Sequence, residues 1–187
     1  MKMVTTSVIY FIAVIILAHF FTPPEYRWTQ NTISDLSAQG LKYQWVMQVG
    51  FIGFGLLLNL GFIQKFIAAQ KVSYPDLLIM LYGLAILLSG FFSTKPFLNG
   101  VSFSVQESNL HSLFATVAGI AFSLGIFYRL IMAPTPGEKW LHAIFLVLVM
   151  GVSLLFGLSE NGLLPIAKGI VQRSLYLVSF IWLLLSQ

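Results

Sequence analysis

Three histidines, six acidic and ten basic side chains carry most of the ionisable chemistry of this 187-residue chain. Asp35 follows Ser34 in a polar stretch. His111 lies four residues after Glu107, and residues four apart share one face of a helix. Gln172 and Arg173 stand together near the start of the last apolar segment. A histidine beside a carboxylate can move a proton for hydrolysis or group transfer, here His111 with Asp35 or Glu160. An arginine supported by lysines suits a phosphate or carboxylate. Arg173, Lys95, Gln172, His111 and Asp35 are therefore the candidate ligand-binding set, for a lipid headgroup or a small anion. An Arg in the first turn of a helix opposes the helix dipole, so Arg173 needs a reason: snorkelling to headgroups, or a carboxylate partner such as Glu160 or Asp35.

Several chemistries drop out. There is no cysteine, which removes disulfides and thiolate ligands. No H-x-x-x-H or H-E-x-x-H spacing occurs, so no metal site and no cofactor are expected. Phosphate loops, dinucleotide fingerprints and nucleophile elbows are also missing. The net charge of +4 is spread over short connections without a basic run, which does not suit nucleic acid.

The elements that must position these residues are apolar helices. Charged residues make up 9% of the chain and hydrophobic ones 58%, with a mean hydropathy of +0.88. A soluble fold carries about 25% charged residues. So few charges cannot cover a water-facing surface, and the solvent of this chain is mostly lipid. Six apolar segments follow, at about 3–21, 45–66, 75–92, 104–132, 139–158 and 169–185. Each reaches across ~30 Å of hydrocarbon, counting 1.5 Å per residue. Pro23-Pro24, Pro96 and Pro134 mark exits, and Ser104-Val105-Gln106-Glu107 reads as a capping box opening the fourth helix. The polar stretch 25–41, with Trp28 and Trp45 flanking it, reads as an interfacial turn or short helix near Thr32 and Ser34. Gly50, Gly53 and Gly61 give the second helix a small face for another helix, in this chain or in a partner. Asn59, the polar residue of that helix, is expected to bond across to a neighbour.

The expectation is an all-α integral membrane bundle of six transmembrane helices, a single domain over 1–187. Alternation puts loops one, three and five on one face. His19, Glu25, Asp35, Lys95, Glu107, His111, Glu160, Lys168 and Arg173 all fall there, and His142 falls on the other, so the three histidines cannot close one metal set. Basic residues tie at five on each face and do not orient the chain. Lys2 before the first helix and the short even loops favour both termini on the cytoplasmic side of the plasma membrane.

The segment I-S-D-L-S-A-Q-G at 33–40, the N-L-H-S-L-F-A at 109–115 and the pair Gln172-Arg173 resemble the prokaryotic membrane family catalogued as domain of unknown function 998. That resemblance implies six helices and no assigned activity. Relatives of this kind often carry an F-P-x-D-like element between the third and fourth helices. Here 92–96 reads F-S-T-K-P, without the acid, which weighs against a metal role for this loop. Three functions stay open: a binding pocket for a lipid headgroup or small anion on the extracytoplasmic face, a membrane hydrolase or transferase, and a structural subunit of a membrane complex.

Overall fold

The computed structural model describes residues 2–186. Six helices form in the expected order: α1 Lys2–His19, α2 Gln44–Ala69, α3 Tyr74–Ser89, α4 Val105–Met132, α5 Pro136–Glu160 and α6 Lys168–Leu185. No strand occurs among the described residues. Five of the six are long and apolar enough to cross a membrane, and α3 is a shorter apolar helix. The protein is a multi-pass membrane protein. Neighbours in sequence pack as neighbours in space, and α6 returns to α1, so the helices close a ring. Phe11, Phe51, Phe54, Phe122 and Trp182 fill its middle.

Boundaries differ where side chains, not hydropathy, end a helix. α3 stops at Ser89 and not near 92, where a side chain of α4 bonds both to its terminal carbonyl, Ser89 O, and to Phe92 O beyond it. Phe92 leaves the helix and stacks on Phe114 of α4, with ring centroids 5.7 Å apart. α5 begins at Pro136, earlier than expected. The Thr135 hydroxyl accepts from the Glu138 N–H at 3.3 Å, with Pro at the first helical position. Thr135-Pro136-Gly137-Glu138 carried that signal in the sequence.

The glycine face of α2 is spent inside the chain. Gly50 faces Val14, Gly53 faces Tyr10 and Gly61 faces Met3 and Val4, all on α1. It is therefore turned away from lipid, and an external partner through it is not what the fold presents. Gly55 lies against the Gly83 carbonyl of α3, where any Cβ would collide with backbone. Asn59 bonds back to Gly55 O in its own helix at 2.8 Å, rather than across to a neighbour.

Candidate functional site

The stretch 25–41 is an ordered plug over one end of the ring. Its centre is a single 3-10 turn, Ser34–Ser37. Ile33, Asp35, Leu36, Ser37 and Ala38 are all buried. Asp35 serves the turn itself: its Oδ2 accepts from the Thr32 N–H at 2.8 Å and from Asn31 Nδ2 at 3.4 Å, while Thr32 Oγ1 accepts from the Asp35 N–H at 3.1 Å. Gln172 of α6 accepts from the Ile33 N–H at 2.6 Å and donates to Ser34 Oγ at 3.4 Å. Gln39 ties the plug to the α3–α4 connection. It accepts from the Ser104 N–H at 2.8 Å and donates to the carbonyls of Ser93 and Ser104. Gly40 has φ +84°, a left-handed conformation that a side chain disfavours.

Arg173 belongs to this plug, and neither Asp35 nor Glu160 pairs with it. Its guanidinium donates to Asn31 O at 2.9 Å, Gly169 O at 3.0 Å, Tyr26 Oη at 2.7 Å and His19 Nε2 at 3.1 Å. The Trp28 ring lies under it, 5.9 Å from centroid to guanidinium carbon. The reason an arginine stands in the first turn of α6 is thus neither snorkelling nor a carboxylate. Backbone carbonyls of 28–31 crowd that helix end, at Gly169 so closely that no Cβ fits beside Trp28 O, Thr29 O and Asn31 O. The Ile170 N–H meets Thr29 O at 3.1 Å, and the guanidinium meets Asn31 O together with Gly169 O. His19 Nδ1 donates to Ile15 O at 2.6 Å, which leaves Nε2 as the acceptor Arg173 needs. Burial pushes the Tyr26 hydroxyl above its ordinary range, and the guanidinium beside it opposes that rise.

His111 and Glu107, one turn apart on α4, hold the end of α3. His111 Nδ1 lies 3.0 Å from Ser89 O and 2.9 Å from Phe92 O. Both are acceptors, so the ring proton is assigned to Nδ1 and Nε2 carries the lone pair. Glu107 Oε1 accepts from the Ser93 N–H at 2.8 Å. The Ser104 half of the capping box forms, with Ser104 Oγ accepting from the Glu107 N–H at 3.2 Å, but the returning half is supplied by Gln39. Replacing His111 by alanine frees Phe92 O and leaves Ser89 O only the 3.3 Å bond from the Phe92 N–H. We expect a loss of about 1–3 kcal/mol, read as a lower thermal midpoint in detergent, with faster amide exchange over 89–93. A His111 that only serves chemistry would leave both unchanged.

Behind the plug, α3, α4, α5 and α6 enclose a cavity of about 760 Å³. Its mouth carries Asp35, Lys95, His111, Glu160, Lys168 and Gln172; Arg173 is not part of the wall. Deeper in, the wall is Phe51, Ile86, Phe122, Val149, Leu175 and Tyr176. From Lys168 to Ser179 it follows α6 for roughly 16 Å, at 1.5 Å per residue. Trp182, packed edge-on against Phe122 and donating from Nε1 to His142 Nδ1 at 3.1 Å, lies one turn below. Lys168 pairs with Glu160 at 3.4 Å, both partly exposed. Asp35 is used by its turn, so Lys95 is the cation of the mouth without an ion pair among the described residues. Among the described residues no three His, Asp or Glu side chains gather closely enough to hold a metal.

The strongest charge cluster lies on the opposite face, its members carried by three different helices. Asp76, 1% exposed, pairs with Lys65 at 2.7 Å and with Arg129. Arg129 also donates to Ser186 O at 3.4 Å. Asp76 opens α3 while Lys65 and Arg129 lie near the ends of α2 and α4. Alternating topology alone puts all three at one level, and that was the available signal.

No curated protein and no solved structure matches this chain significantly. A family model described as "Protein of unknown function (DUF998)" matches residues 5–186. That span takes in the plug, the His111 clamp, the Gln172-Arg173 pair and all six helices, so the chain belongs to the DUF998 family of membrane proteins.

Proposed function

We propose that this protein binds a phosphate-bearing membrane lipid, with the headgroup at Lys95 and an acyl chain in the cavity between α3, α4, α5 and α6. One observation carries the reading: the wall of the cavity of about 760 Å³ changes from charged at the mouth to mainly apolar at depth, where hydroxyls such as those of Ser123, Ser179 and Tyr82 are the polar groups. A pocket of roughly 300–1,000 Å³ takes a sizeable ligand. A small anion would leave the apolar half unfilled, whereas a lipid satisfies both halves. With the termini inside, as the position of Lys2 and the loop lengths favour, the mouth faces the extracytoplasmic leaflet of the plasma membrane. Hydrolysis through His111 finds less support. Its Nδ1 is held by two carbonyls and Asp35 by its own turn, so neither is bonded to the other.

The test is lipid retained through purification, counted by native mass spectrometry. An added Cβ at Gly157 of α5, in the cavity wall, meets nothing within 4 Å. A side chain at Gly157 therefore starts into open space, and Gly157→Leu favours the helix by somewhat under ~1 kcal/mol. We expect it to fold normally and to lose about 90% of the bound lipid. Lys95→Ala should weaken phospholipid retention about fivefold, near the ~1 kcal/mol of one lysine on an anionic headgroup. Inorganic phosphate should not compete. Lipid retained in full by Gly157→Leu would sink the reading.

A further inference from the structure

A ligand could reach the cavity past the plug from water or through its side from the bilayer. The plug is closed. Ile33 and Ser37 are buried, Gln172 and Gln39 bond it to α6 and to the start of α4, and Arg173 bonds its first half to α1 and α6. Opening it would expose all those polar groups at once. The side wall differs. Ser112, Ala115, Thr116 and Gly119 form one stripe along α4, line the cavity and are nevertheless exposed. Facing them, α5 buries only His142 and Val149, and nothing over 150–160. The connection at 133–135 keeps the α4–α5 hairpin tight at the far end. At the plug end α5 is tied by the part-exposed Glu160–Lys168 pair and by Ser159 Oγ donating to Ile166 O at 2.6 Å. An added Cβ at Gly119 or at Gly157 meets nothing within 4 Å, so the seam is empty from both sides. In the cavity wall on α3, Tyr82 is 5% exposed and its hydroxyl has no hydrogen-bond partner, a donor left for a group within the cavity.

We infer that the seam between α4 and α5 is a lateral portal, through which the ligand passes between the cavity and the leaflet on the plug side. The occupant is then a bilayer-resident phospholipid, and α5 is the wall that yields. This rests on the lipid-binding reading above and adds the route.

The chain has no cysteine, so a pair can be introduced cleanly. Ser112 and Ser153 both line the cavity, each about 10 Å in from the plug-side end of its helix by 1.5 Å per residue. The Ser112→Cys/Ser153→Cys protein would be loaded with acyl-labelled fluorescent phosphatidylglycerol, then treated with a short bismaleimide. Release into phosphatidylcholine vesicles is expected to slow at least about tenfold once the bridge forms, with the amount bound unchanged. Gly119→Trp, which plugs the same seam without a bridge, should slow loading to a similar degree. A plug variant, Gln39→Ala, should leave both rates at the unmodified value. Release and loading that ignore the bridge and the tryptophan, or that accelerate in Gln39→Ala, overturn the portal while leaving binding intact. Absence of any bound lipid in the unmodified protein overturns the binding reading, and the portal falls with it.

Discussion

Replacing Asp76 by alanine is expected to destabilise the protein by about 3 kcal/mol or more, the range for breaking a buried ion pair by removing one partner. The carboxylate is 1% exposed and faces two cations from two other helices. Without it Lys65, 41% exposed, can turn its ammonium outward along its flexible stem. Arg129, 22% exposed, cannot follow as easily, and its Nε already lacks a partner. Most of the cost therefore sits on Arg129. Asp76→Asn keeps the volume but not the charge, and should lose somewhat less. The check is a thermal midpoint in detergent. A triple apolar replacement of Asp76, Arg129 and Lys65 should recover much of the loss, because a buried pair seldom outweighs good packing. An unchanged midpoint in Asp76→Ala would show that the cluster does not hold the three helix ends together.

Arg173→Ala should have the second large effect, about 2–4 kcal/mol, the scale of losing several hydrogen bonds from one charged group. The four acceptors of Arg173 come from α1, from the plug and from α6 itself. Removing them frees the first half of the plug from α1 and loosens it on α6, where Gln172 and the Ile170 N–H still hold it, so the plug half near Arg27 should become open to trypsin at concentrations that leave the unmodified protein whole. Arg173→Lys should rescue only in part, since an ammonium offers three donors from one point and cannot reproduce the planar fork. Lipid retention should change little, because Arg173 stands outside the cavity wall and the inferred route runs through the α4–α5 seam rather than past the plug. Normal resistance to trypsin in Arg173→Ala would contradict this.

Arg173 also shows how far local reasoning carries. The conflict between an arginine and a helix N-terminus was legible from spacing and dipole alone. Its resolution was not, because the acceptors are main-chain carbonyls and a histidine 154 positions away. Every backbone has carbonyls, and only the fold says which ones are left without a donor. His111 follows the same logic. Its face and its helix turn were set by Glu107 four residues earlier, but the carbonyls it holds are Ser89 O at the end of α3 and Phe92 O just beyond it, and hydropathy cannot register that early end because Phe91 and Phe92 are as apolar as the helix before them.

The sequence by itself determined the solvent, the helix count and order, and the face on which most polar groups gather. Hydropathy, proline positions and capping residues act over a few residues, and alternation of spans needs nothing more. It also marked Asp35, Lys95, His111, Glu160 and Gln172, which the fold lines up along one cavity mouth. The tertiary structure decided what each of these touches: Asp35 its own turn, Gln172 the plug backbone, Arg173 the crowded start of α6. It alone revealed the cavity and the loose α4–α5 seam, because empty space depends on how helices lean on one another. The Asp76 cluster was decided there too. Lys65, Asp76 and Arg129 are each unremarked in their own helix, and become a buried charge network only when three helix ends meet at one level.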